Sequence, residues 1–143
     1  MSAIETDDFL AHPPQAVWQA LTDPAKLARW LMPTTFVPVI GHRFTFTTMP
    51  VPRQGFDGIV HCQVLQLRAP ELLSISWRTS DLDTTVTWRL VPEGRGTRLL
   101  LSHDGFDDRN PHPQATMRIL GSGWRGHMIT RLHQVLDSAW FAE

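Results

Sequence analysis

Along this chain the spacing of apolar residues begins at two, turns helical, returns to two through the middle and ends helical. Residues 3–11 read as a first strand. The run His12-Pro13-Pro14-x-x-Val17-Trp18-x-Ala20-Leu21-Thr22-Asp23-Pro24-x-x-Leu27-x-x-Trp30 then sets two short helices end to end across an Asp-Pro junction. Pro14 fits a first helical turn, where its missing N–H costs nothing, and Asp23 can accept from the orphan donors of a second helix that starts at Pro24. Each helix is left about two or three turns, too short to be stable alone. Val17, Trp18, Leu21, Leu27 and Trp30 are therefore expected to face a sheet or plug one end of it. Residues 41–47 alternate cleanly as a second strand, and Pro50 and Pro52 force a loop after it. From Gly58 to Leu65, Val60, Cys62 and Val64 share one face while Ile59, His61 and Gln63 share the other. Leu73, Ile75 and Trp77 alternate with Ser74, Ser76 and Arg78, and Ser80-Asp81-Leu82-Asp83 makes a turn. Val86, Trp88 and Leu90 line the next strand, Pro92-Glu93-Gly94-Arg95-Gly96 makes a hairpin, and Leu99, Leu101 and His103 line the last strand. Beyond a polar, proline-bearing loop from Phe106 to Pro113, a helix is predicted from Ala115 to Ala139. Its stripe is Met117, Leu120, Trp124, Met128, Leu132, Val135 and Leu136.

Inner strand positions are apolar and outer ones rich in Thr, Ser and Arg, the pattern of an antiparallel sheet with one wet side. The order β-α-α-β-β-β-β-β-α predicts an α+β, helix-grip architecture. In it a six-stranded curved sheet carries two short helices after its first strand and a long C-terminal helix over its concave face. No repeat, low-complexity tract or linker interrupts the series, so residues 1–143 are expected to form a single domain.

Composition narrows the function. The 13 basic and 14 acidic residues give a net charge of -1 and are scattered, so the chain lacks the positive face that phosphate-driven nucleic-acid binding needs. No run approaches the roughly 18 apolar residues of a membrane span, and the acidic N-terminus has no apolar targeting core. A cytoplasmic protein without a membrane partner is expected. The single cysteine, Cys62, excludes an internal disulfide and a thiolate-rich zinc site.

Elements that should face one another contribute Trp30, Phe44, Phe46, Trp77, Trp88, Phe106 and Trp124, with Leu120 and the adaptable thioethers of Met117 and Met128. Any one of these can be core. As a set, laid between a long helix and a curved sheet, they are expected to line a ligand cavity together with His103. Catalytic constellations are sparse. His12 and His112 sit beside prolines, His42 precedes a strand, and His127 and His133 fall on different helix faces. His61 and Cys62 are neighbours in a strand and point to opposite sides, so they form no dyad, and Cys62 reads as a small buried hydrophobe. Alternation turns His103 inward, which makes it the one weak candidate for an acid or base. Asp104, Asp107 and Asp108 read as solvated turn carboxylates, and no zinc-ligand spacing or cofactor motif is present.

An ordered series of phrases is similar to a known family. It comprises Pro14-x-x-Val17-Trp18-x-Ala20-Leu21-Thr22, Gly41-x-x-Phe44, Trp77, Thr85-Val86-Thr87-Trp88-x-Leu90-x-Pro92, Gly96-Thr97-x-Leu99-x-Leu101-x-His103-x-Gly105-Phe106 and Gly123-Trp124. It resembles the bacterial branch of the family named after the activator of Hsp90 ATPase, within the START-like, polyketide-cyclase-like superfamily. The resemblance covers nearly the whole chain. It implies the helix-grip fold and a cavity between sheet and long helix, but not one activity, since the superfamily includes lipid and hormone carriers and cyclases. The eukaryotic chaperone activator also has a separate N-terminal domain, for which this chain leaves no room. The preferred expectation is a binding protein for a small apolar, aromatic or lipid-like molecule. A cyclase- or hydratase-type enzyme using His103 in the same cavity is the alternative, and a chaperone-associated module rests on the family name alone. A homodimer is left open.

Overall fold

Pro14 and Pro24 open the two short helices of the computed structural model, which describes residues 2–107, 120 and 122–141. Strand β1 (Ser2–Leu10) leads into α1 (Pro14–Thr22) and α2 (Pro24–Trp30). At the junction the Asp23 carboxylate accepts from the Ala25 N–H at 3.0 Å, and the Trp30 indole N–H donates to the Ala20 carbonyl at 2.8 Å. The cap satisfies a donor that the helix itself cannot, and the indole bond fixes the angle between the two helices. Val17, Trp18, Ala20, Leu21, Leu27 and Trp30 are buried, α1 lying against β5 and β6.

The remaining strands are β2 (Arg43–Thr47), β3 (Ile59–Arg68), β4 (Leu72–Arg78), β5 (Asp83–Glu93) and β6 (Gly96–Phe106). They form a six-stranded antiparallel sheet in the order β1-β6-β5-β4-β3-β2. Alternation decides the faces: Val60, Cys62 and Val64 are buried while His61 is exposed, and Leu73, Ile75, Trp77, Val86, Trp88, Leu90, Leu99 and Leu101 join the core.

Two local features depart from the sequence expectation. Phe106 belongs to β6 rather than to the loop, because Gly105 adopts a φ of 98° and breaks the pairing register with β1. That bulge inserts an extra residue, so His103 and Phe106 both point inward although they are an odd number apart. The C-terminal helix is not continuously α-helical. A π-helical turn, Gly123–Met128, precedes α3 (Ile129–Phe141). Gly123 and Gly126 weaken an α-helical ladder there. The four-residue steps Leu120-Trp124-Met128-Leu132 would drift by about 40° each on a 3.6-residue turn, and the wider turn takes up the drift. Leu132, Val135 and Leu136 then bury against the sheet and short helices. The polar face of α3 is tied down as well: His12 Nε2 lies 2.8 Å from Asp137 Oδ1, and Arg29 donates to Ser138 Oγ at 3.0 Å. No described helix is long and apolar enough to cross a membrane.

Candidate functional site

Between the end of α2, the loop after β2, the inner face of β3 and β4, and the C-terminal helical segment lies a cleft of about 460 Å³. Val60 and Trp77 reach it as inward positions of adjacent strands. Leu82 is presented by a tight turn in which the Thr79 N–H donates to the Leu82 carbonyl at 3.0 Å. Val51 and Phe56 form a second wall, paired across the short turn at Pro52–Gln54 by bonds of 2.9 and 3.2 Å. This loop is anchored where the Thr48 N–H donates to the Gly58 carbonyl at 2.8 Å. Gly58 has a φ of 85°, and a Cβ there would meet the Thr48 carbonyl oxygen at 2.6 Å, so only glycine allows the close approach. Leu31 and Met32 close one side, and Leu120 and Met128 face them from the helical segment. Thr48, Thr79, Asp81, His127 and Arg131 complete the lining with polar groups.

The residues expected to line a cavity divide into two groups. Trp77, Leu120 and Met128 do line the cleft. Phe44, Phe46, His103, Phe106, Trp88 and Trp124 do not line it and form, with Trp77, a continuous packed cluster. Its successive ring centroids lie 5.5 Å (Phe44 to Phe46), 5.7 Å (Phe46 to Trp77), 5.5 Å (Trp77 to His103), 4.8 Å (His103 to Phe106) and 6.0 Å (Trp88 to Trp124) apart. These are mostly edge or tilted contacts, the geometry that aromatic quadrupoles favour. Trp30 is buried at the helix junction, and Met117 lies outside the described residues.

His103 is fully buried and bonded at both ring nitrogens. The Trp124 indole N–H donates to Nδ1 at 3.1 Å. An indole can only donate, so Nδ1 is the unprotonated nitrogen and Nε2 carries the hydrogen. Nε2 donates to Thr84 Oγ1 at 2.8 Å, and that hydroxyl donates to the Trp77 carbonyl at 2.9 Å. Burial pushes the His103 pKa down to about 3. This is a neutral, single-tautomer imidazole, and it does not line the cleft.

Cys62 faces the core, its thiol pushed up to about 12 by burial, on the opposite side of β3 from exposed His61. Asp104 and Asp107 are exposed, Asp108 lies outside the described residues, and the described residues contain no cluster of metal-ligating side chains. A second, open depression of about 710 Å³ runs over the wet face of the sheet. Its walls include Thr45, His61, Ser76, Thr85 and an Arg78–Asp83 pair at 3.1 Å, so it is polar where the first cleft is apolar.

Leu31, Met32, Val51, Phe56 and Leu82 were not legible as cleft residues, since they sit in loops and helix ends without a period. Val60 carried a signal, its inward phase in β3.

A family model described as activator of Hsp90 ATPase homolog 1-like protein matches residues 11–137. The crystal structure of protein MLL2253 from Mesorhizobium loti superposes with a TM-score of 0.84 at 30% identity, over 96% of this chain and 98% of that one. CalU16 from Micromonospora echinospora gives 0.68 at 26% identity, over 98% and 86%. Bacillus halodurans protein BH1534 gives 0.76 at 24% identity, over 95% and 97%, a likeness of fold alone. No protein of curated description matches the chain.

Proposed function

The chain belongs to the activator of Hsp90 ATPase homolog 1-like family, and from that premise we propose that it binds a small, largely apolar or aromatic molecule in the cleft between sheet and C-terminal helical segment. Family and fold support a ligand-binding or cyclase-like role in general terms. The observation that carries the binding reading is the cleft itself. Its volume of about 460 Å³ falls within the ~300–1,000 Å³ of small-molecule sites, and apolar walls with a few polar groups are the usual composition of such sites. A flexible thioether such as Met128 suits a site that adapts to its occupant. The cyclase reading as drawn from the sequence assigned the acid or base to His103, and that ring is held outside the cleft by Trp124 and Thr84.

Titration with N-phenyl-1-naphthylamine, a neutral dye that brightens in apolar sites, tests the proposal. Saturable binding with quenching of tryptophan emission is expected. Met128→Trp, which fills the cleft from its half-buried side, is expected to weaken binding at least tenfold in a protein that still unfolds cooperatively. If neither this dye nor other polyaromatic compounds gave a saturable signal, the binding reading would be abandoned.

A further inference from the structure

We propose that the ligand class of this cleft is an amphipathic acid: an apolar tail or ring system seated toward Trp77 and Met128, ending in a carboxylate or similar monoanion held by Arg131 and His127. The inference rests on the binding reading above and deepens it. The two side chains stand four positions apart on the C-terminal helical segment, one in the π-helical turn and one in α3, and both line the cleft. Both are also exposed, so they belong to its mouth rather than its floor. No ion pair or hydrogen bond joins either side chain to another of the described residues. Arg131 therefore presents a guanidinium whose planar donors are not committed to any other described residue, on a stem long enough to follow a head group. An imidazole supplies an N–H donor beside it in any protonation state.

Among the described residues of the lining the one anion is Asp81, but the fold already uses it. Its carboxylate accepts the Thr79 hydroxyl at 2.9 Å within the turn that presents Leu82, and it has further interactions of its own. A cationic head group would have to compete for a carboxylate engaged by its own turn. An anionic one meets uncommitted donors and can be bound in bidentate fashion. Below that rim Trp77 and Met128 carry no charged group, while the cationic donor stands at the mouth, which fixes the orientation: tail in, anion out.

Displacement of N-phenyl-1-naphthylamine by decanoate, 1-decanol and decylammonium tests this, because the three share one tail and differ only at the head. Decanoate is expected to bind about fivefold tighter than decanol, the size of effect that a partly exposed charge contact supports, and tighter still than decylammonium. In Arg131→Gln, whose substituted side chain is exposed and whose folding circular dichroism would check, the decanoate-to-decanol ratio is expected to fall to about one. Arg131→Lys should recover part of it. Equal binding of decanoate and decanol would overturn the acid assignment while leaving the cleft reading intact, and so would tightest binding by decylammonium, which would make Asp81 the head-group partner. Failure of the dye and all three tails would instead remove the cleft reading, and this inference with it.

Discussion

The imidazole of His103 carries its hydrogen on Nε2 because Trp124 can only donate to Nδ1, and this fixed neutral form determines how the core answers acid. Burial holds the folded-state pKa near 3, against 6.5 for an unhindered histidine. As pH falls below about 6.5 the unfolded chain takes up a proton that the native protein refuses until about 3. The contribution of the neutral ring is thus complete above about 6.5 and is lost as pH drops through that window, by up to about 1.4 kcal/mol per pH unit. His103→Gln does not titrate. Urea unfolding from about pH 7 to about pH 4 should therefore show the stability gap between wild type and variant narrowing on acidification. A constant gap would mean that the imidazole titrates alike in both states. Cys62 offers a second test on the same principle. With its thiol pushed up to about 12 and its side chain in the core, it should resist a maleimide in the native protein and react once urea unfolds the chain.

The two short helices survive because their apolar faces are buried, not because their sequences favour a helix in isolation. Trp18→Ala removes the largest buried side chain of α1 and is expected to destabilise by about 3–5 kcal/mol in urea titrations. A loss under about 1 kcal/mol would show that α1 is not anchored by that ring. The π-helical turn predicts a gain instead. Gly126 has open space where a Cβ would stand, so Gly126→Ala should stabilise by about 0.5–1 kcal/mol. The strands were legible because period-two alternation is a local property, and Asp23-Pro24 marked the helix junction because capping is local too. The inward turn of Phe106 was not legible, since it depends on a positive φ at Gly105. The π turn was hidden as well, because four-residue spacing reads as helix whichever ladder forms.

At the scale of the molecule the sequence identified the right layers but not the wall of the cleft. Trp77, Leu120 and Met128 follow from strand and helix phase, whereas Val51, Phe56 and Leu82 arrive through loops whose course depends on tertiary contacts such as Gly58 against Thr48. Most of the aromatic set was consumed in packing the core, so aromatic content alone does not mark the lining of the cleft. The cleft is built from elements far apart in sequence, so a ligand that fills it should stabilise the native state as a whole and not one segment. By mass action an occupant present at 100 times its Kd adds about 2.7 kcal/mol. For a chain of this length that corresponds to a rise in Tm of roughly 5–10 °C. Decanoate is expected to produce such a rise in calorimetry, and Met128→Trp to abolish most of it. An undiminished rise in that variant would place the occupant elsewhere, for instance in the polar depression on the wet face near Arg78 and Asp83.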